Sequence, residues 1–250
     1  GGGTGGHIFP ALAIASLFLE RHPGSEILFV GAKGRMEMTR VPEAGFRIIG
    51  LWIAGLQRKL TLSNLLFPVK LLVSTIKAFS VVRNFRPHVV VGTGGYASGP
   101  VMIAATRTGI PTLIQEQNSF AGLTNRKLAA KADVVCVAYE GMEQYFPAGK
   151  VKFTGNPVRG SIGTNIPREE ALASFGLSVA KPTLLVLGGS LGAGSINKSI
   201  FEGIDSFNES GVQVIWQCGK RYFDSLEPQL KRLPADNIRL VGFISSMDSA

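Results

Sequence analysis

An α/β fold in two domains, each a parallel sheet covered by helices, is what this sequence predicts, and three observations predict it. Short apolar segments suited to strands alternate with longer amphipathic segments suited to helices, the pattern of repeated βαβ units. An apolar strand followed by a glycine-rich turn and a helix recurs around 1–7 (GGGTGGH), 89–100 (VVVGTGGYASGP) and 184–197 (LLVLGGSLGAGSIN). The length, 250 residues, exceeds one typical compact domain and suits two, each able to bury its own core.

Taken in order, the strands of the first half are predicted at 26–30, 46–51, 88–92, 112–115, 133–138 and 151–154, with helices beginning near His7, Leu62, Pro100, Ala121 and Glu140. The segment 155–161 (GNPVRGS) is made of turn residues and reads as a linker between a first domain, 1–154, and a second, 162–250. Strands at 183–187, 212–216 and 238–241 then begin a second series, about half of the roughly six in a doubly wound domain. The second domain is therefore expected to be incomplete. The glycine loop at Gly1 has no strand before it, so a first strand is expected to be missing as well.

Composition narrows the class. With 31 glycines, 45% apolar residues and no low-complexity tract, the chain is a globular α/β protein with many tight turns. Cys136 and Cys218 sit singly in apolar runs and read as buried, reduced thiols, with a disulfide as the alternative. No run of 18 apolar residues and no signal sequence is present, so neither a membrane span nor secretion is expected. The net charge of +9 is concentrated: between Glu43 and Glu116 there is no acidic residue, while Arg47, Arg58, Lys59, Lys70, Lys77, Arg83, Arg86 and Arg107 fall there. Charge so placed implies a polyanionic partner. No nucleic-acid motif accompanies it, so nucleic acid is not the expected one. The histidines and cysteines lack metal-ligand spacing, and no metal or cofactor is expected.

Glycine loops at the carboxyl ends of strands let the backbone approach a ligand, and the helix that follows offers free N–H groups to phosphate. Gly1, Gly3 and Gly6 match the dinucleotide fingerprint G-x-G-x-x-G. A dinucleotide site also requires an acidic residue at the end of the next strand, where this sequence reads FVGAK. Lys33 and Arg35 there could take a 2′-phosphate, which keeps an NADP-dependent oxidoreductase as the alternative.

Five motifs follow one another along the chain: GGTGGHIFPALAIA at 2–15, GTGGYASGPVMIAA at 92–105, EQNSFAGLTNR at 116–126, GNPVR at 155–159 and GGSLGAGSIN at 188–197. Taken together, they resemble those of the MurG family of UDP-N-acetylglucosamine:muramyl-pentapeptide N-acetylglucosaminyltransferases. The resemblance implies a GT-B glycosyltransferase, two Rossmann-like domains with parallel sheets facing each other across a cleft. It implies transfer of GlcNAc from UDP-GlcNAc to the 4-hydroxyl of the undecaprenyl-linked muramyl pentapeptide, lipid I, in peptidoglycan synthesis at the cytoplasmic face of the plasma membrane. Residue by residue, it implies a donor site with Thr4, Gly5, Gly6, Asn118, Arg159, Ser190 and Ile244. The chemistry agrees: Ser190 can cap a helix and hold a diphosphate, Arg159 is a permanent forked cation, and Asn118 offers both a donor and an acceptor. The chain departs from the family in carrying Gln115 where many members have His.

An inverting displacement needs a base for the acceptor hydroxyl. His7 is the expected base, since of the three histidines it alone lies in a ligand loop and imidazole as a class titrates near neutrality. Glu116 is the rival base and Tyr96 the expected acceptor contact. The region 44–115 joins basic residues to apolar ones: Lys70, Ser74, Lys77 and Asn84 are expected on one helical face and Leu72, Ile76 and Phe79 on another, after Trp52, Leu65, Leu66 and Phe67. Such a surface suits an anionic membrane, where a polyprenyl acceptor is anchored.

Overall fold

The computed structural model describes residues 2–55, 66–160, 166–189, 191–244 and 247–250. The chain divides into two compact units, Gly1–Arg159 and Gly160–Ala250.

In the first unit, β1 (Leu28–Ala32) pairs in parallel with β2 (Arg47–Leu51), Leu28 opposite Arg47. A second parallel sheet runs in the order β3 (Val90–Gly92), β4 (Thr112–Glu116), β5 (Val134–Val137), β6 (Val151–Phe153). Helices α1 (Gly5–Arg21), α2 (Glu37–Glu43), α3 (Phe67–Phe85), α4 (Ser98–Arg107) and α5 (Leu123–Ala129) accompany them. Parallel neighbours need long crossovers, which is why helices separate the strands along the chain. The main core lies around β4 and β5, where Ile114, Val135 and Val137 pack on Met102, Ala129 and Met142. Between β1 and β3, an apolar cavity of about 230 Å³ is lined by residues including Ile14, Phe29, Val82, Val90 and Val101.

The second unit has one parallel sheet, ordered β7 (Thr183–Leu187), β8 (Gln213–Gln217), β9 (Ile238–Val241), with α6 (Arg168–Ser174), α7 (Gly194–Glu202), α8 (Ile204–Ser210) and α9 (Lys220–Leu230). β8 lies between the other two strands and all five of its residues are buried. Trp216 is fully enclosed, and its indole N–H donates to Asn197 Oδ1 at 3.0 Å. Asn197 Nδ2 in turn donates to the Cys218 carbonyl at 2.9 Å, so one side chain ties α7 to the end of β8. Cys218 is buried and Cys136, on β5, half-buried; burial pushes both thiols up from their ordinary range.

Three expectations need correction. No α-helix forms from Glu140: only 3-10 turns at Met142–Gln144 and Ala148–Lys150 occur there, with Pro147 between them. A seven-residue helix, α2, was not expected from a segment flanked by Gly34 and Gly45 and carrying Pro42. On α3 the expected faces are reversed in part. Ser74 is fully buried and Lys77 Nζ donates to the Gly50 carbonyl at 3.0 Å, whereas Leu72 and Ile76 are each 62% exposed. Ser74 and Ala78, small residues, let α3 pack closely on its unit and leave the branched residues outside. Leu65 of the expected apolar cluster, with Arg58 and Lys59, lies outside the described residues.

The entry to β5 is clasped to β4. Asp133 Oδ2 accepts from Thr112 N at 2.7 Å and Thr112 Oγ1 at 2.9 Å, and these hydrogen bonds hold its carboxyl below the usual aspartate value of 3.8. A depressed folded-state pKa stabilises the fold above the unfolded value and ceases to do so as pH falls through the folded one. Asp133→Asn should therefore lower the urea midpoint at pH 6, with the gap from the native chain closing as the pH is taken below 3.8.

Candidate functional site

The first and second glycine loops meet. Thr4 is the N-cap of α1, exposed and in extended conformation, and its side chain does not cap the helix. Gly5 is buried and Gly6 exposed in the first turn, where there is no acidic residue. Ahead of them, Gly3 (φ +94°) donates its N–H to Glu37 Oε2 at 3.0 Å, while Glu37 Oε1 accepts from Ala32 N at 2.8 Å. Glu37 is 1% exposed, so a buried carboxylate joins the first loop to the end of β1. On the other side Gly95 (φ +80°) lies against the Gly2 backbone: a Cβ there would stand 2.9 Å from Gly2 N and C. Only glycine allows this approach.

His7, half-buried, is held from three directions. Its carbonyl accepts from Thr93 Oγ1 at 2.9 Å, and its ring lies so near Gly94 (φ +86°) that a Cβ there would be 2.9 Å from Cε1 and Nδ1. Its Nδ1 is 3.1 Å from Gln117 Oε1. Gln117 is itself fixed, for its Nε2 donates to the Thr93 and Gln115 carbonyls, each at 3.1 Å, and to the Gln115 side-chain oxygen.

Glu116 is 1% exposed and each of its oxygens takes two donors. Oε1 accepts from Asn118 N at 3.1 Å and Nδ2 at 2.9 Å. Oε2 accepts from Gly122 N at 3.0 Å and Asn125 Nδ2 at 2.9 Å. Its four lone-pair directions are occupied, and it organises the loop from 117 to 122. Asn118 thereby stands exposed with its amide orientation set, since Nδ2 faces the carboxylate and Oδ1 has no partner among the described residues. Tyr96, 46% exposed, follows the second pair of glycines, and its ring covers Gly55 so closely that a Cβ on Gly55 would fall within it. Arg159, the last residue of the first unit, lies over the Phe9 ring at 5.1 Å, one turn into α1. It has no ion pair among the described residues.

The first unit thus gathers Thr4, Gly5, Gly6, His7, Tyr96, Glu116, Asn118 and Arg159. Ile244 belongs to the second unit and is 7% exposed. Ser190 lies outside the described residues. The third loop is as tight as the first two: a Cβ on Gly192 (φ +77°) would meet the Cys218 carbonyl and the Tyr222 ring. Gln217 Nε2 bridges the Gly189 and Gly242 carbonyls at 2.9 and 3.2 Å. α7 starts there without a side-chain cap or an acid in its first turn, open to an anion.

Sequence reasoning missed Glu37, Gln117 and Asn125. Glu37 stands five residues beyond the strand that lacks a terminal acid; Gln117 and Asn125 lie inside the EQNSFAGLTNR motif itself. Hydrogen-bond demand was the signal, since strand ends beside glycine loops expose backbone N–H groups that something must accept.

The glycosyltransferase family 28 N-terminal domain matches residues 1–137, and the family's C-terminal domain residues 183–250. The chain is 53% identical to the UDP-N-acetylglucosamine–N-acetylmuramyl-(pentapeptide) pyrophosphoryl-undecaprenol N-acetylglucosamine transferase of Flavobacterium psychrophilum, over 99% of this chain and 67% of that protein. It is 53% identical to the protein of the same description from Phocaeicola vulgatus, over 100% of this chain and 67% of that one. Among solved structures, Acinetobacter baumannii MurG aligns with 28% identity and a TM-score of 0.65, over 99% of this chain and 67% of that chain. A UDP-GlcNAc 2-epimerase from Neisseria meningitidis, bound to UDP-GlcNAc, aligns with a TM-score of 0.65 over 97% of this chain and 70% of that one; at 13% identity it shares the fold alone.

Gly95→Ala tests the loop contact. Both it and Gly109→Ala would place alanine at positive φ, costing about 1 kcal/mol, but no atom lies within 4 Å of a Cβ on Gly109. Gly95→Ala should lower the urea midpoint well beyond Gly109→Ala. The fold class is that of GT-B glycosyltransferases, and the chain belongs to glycosyltransferase family 28, among its MurG members.

Proposed function

We infer that this chain is an inverting hexosyltransferase moving GlcNAc from UDP-GlcNAc to the 4-hydroxyl of MurNAc in undecaprenyl-pyrophosphoryl-MurNAc-pentapeptide. The observation that carries the reading is the identity of 53% with a relative named for this transfer, spread over 99% of the chain. In the reaction the muramyl O4 forms a bond to the sugar C1 as the bond from C1 to the UDP oxygen breaks. The electron pair leaves with UDP, and the O4 proton passes to a base.

The geometry favours His7 over Glu116 as that base. Glu116 accepts four hydrogen bonds and has no lone pair to spare, whereas the His7 ring is half-buried with Nε2 unengaged among the described residues. Tyr96, exposed on the second loop, is assigned to the acceptor. Thr4, Gly5, Gly6, Asn118, Arg159, Ser190 and Ile244 are assigned to the donor. For UDP leaving as an anion, helix N-termini and the Arg159 guanidinium supply the stabilising charge. The dinucleotide alternative is weakened by Glu37, which takes the N–H of Gly3 that a pyrophosphate would use.

The exposed face of α3 supports attachment to an anionic membrane surface, and with a lipid-linked acceptor we place the protein at the cytoplasmic face of the plasma membrane. Val69, Leu72, Val73 and Ile76 form an exposed apolar stripe, and Lys70 lies over the exposed Trp52 ring at 5.6 Å. No helix among the described residues is long and apolar enough to cross a membrane. Each Lys or Arg near an anionic bilayer contributes about 1 kcal/mol, an attraction that salt weakens and apolar insertion does not.

Two outcomes follow. His7→Ala should lower kcat with UDP-GlcNAc and the lipid-linked muramyl acceptor about 100-fold or more, with UDP affinity by calorimetry little changed; near-native turnover would remove His7 as the base. In sedimentation with anionic vesicles, Lys70→Glu should lose the salt-sensitive part of binding and Leu72→Ser with Ile76→Ser the salt-resistant part. Equal binding by all forms to neutral and anionic vesicles would leave the stripe as plain surface.

A further inference from the structure

We propose that Gln117 is a positioning residue that locks His7 in the tautomer with the proton on Nδ1, so that Nε2 presents its lone pair to the acceptor. The proposal deepens the reading of His7 as the base and rests on it for its catalytic consequence. The Gln117 amide has a single orientation. Its nitrogen is within 3.1 Å of two main-chain carbonyl oxygens, those of Thr93 and Gln115, and carbonyls only accept. Reversing the amide would set its oxygen against both. The orientation is therefore determined by the backbone, and it turns Oε1 toward His7.

An amide oxygen also only accepts, so the nitrogen 3.1 Å away, His7 Nδ1, must carry the hydrogen. In a neutral imidazole the second nitrogen is then bare. Unrestrained imidazole carries no such constraint and distributes its proton between both nitrogens. Gly94 lies so close that a Cβ on it would meet ring atoms Cε1 and Nδ1, and Thr93 holds the His7 carbonyl, so the ring's placement is restricted as well as its tautomer. Among the described residues no charged side chain bonds to the ring. The buried carboxylates that brace these loops are engaged elsewhere, Glu37 by Gly3 and Ala32, and Glu116 by Asn118, Gly122 and Asn125. Arg159 sits over Phe9, two residues on. A neutral amide is thus the group that decides where the proton of His7 resides, the part a carboxylate takes in many His-based sites.

The test uses the chain with nitrogen-15 in its histidines. NMR of the native chain with the His7 ring neutral should show Nδ1 protonated and Nε2 bare. In Gln117→Leu, and in Gln117→Met, which keeps the side chain's length, the two nitrogens should average toward a mixture. kcat should fall about tenfold while the KM for UDP-GlcNAc stays within twofold. Because Gln117 acts through His7, Gln117→Leu should have no further effect on kcat in a His7→Ala background. A native His7 protonated on Nε2, or an unchanged tautomer in both Gln117 variants, would overturn the proposal. Full activity of His7→Ala beside an Nδ1-protonated native ring would remove the base assignment and leave the tautomer lock standing.

Discussion

Everything at the first unit's site depends on two backbones touching where side chains would forbid it. Gly95 lies on Gly2 and Gly94 lies on the His7 ring, both at positive φ, so the two loops form one surface rather than two adjacent turns. The approach places α1, with Thr4 at its N-cap and His7 in its first turn, beside the end of β3 with Tyr96. It also places His7 within reach of Gln117, which follows β4. Dispersion and hydrogen bonding between loops are weak singly, and the contact persists because each loop is braced from behind by a buried acid or amide.

Those braces use acids in an unusual way. Glu37 and Glu116 are each 1% exposed, yet the described structure pairs neither with a cation; both accept from backbone N–H groups, and Glu116 also from asparagine side chains. Burying a carboxylate costs several kcal/mol unless its lone pairs are met, and multiple N–H donors meet them while fixing loops that have no regular structure of their own. The same donors engage both oxygens of each carboxylate, so their part is to hold the loops in place.

Much of this was legible in the sequence. The alternation of apolar and amphipathic segments located all nine strands of the described residues to within two residues at their starts, because parallel strands buried by helices must be short apolar runs. The glycine loops were legible because few other residues fit their backbone angles. The reversed face of α3 was not: helical periodicity groups Leu72 with Ile76 but does not say which group faces inward, and Ser74 and Ala78 were chosen for close approach rather than hydrophobicity. Glu37, Gln117 and Asn125 escaped because their value lies in hydrogen bonds that no periodicity marks, Asn125 to Glu116 nine residues back and Glu37 to Gly3 34 residues back. Gln117 meets Thr93 and His7, 24 and 110 residues away, and no local pattern records that.

The amide-built surroundings of His7 bear on how the enzyme would respond to its medium. Glutamine, asparagine and main-chain groups carry no net charge, so with His7 as the proposed base dissolved ions would have little to shield where the acceptor's proton would move. The lysines flanking the stripe on α3 are in the opposite situation. Ionic strength is therefore a tool that separates arrival at the bilayer from bond-making: in a detergent-dispersed assay, where landing on a bilayer is not required, salt would act mainly on the nucleotide, and any additional sensitivity seen with vesicles would measure adhesion rather than chemistry.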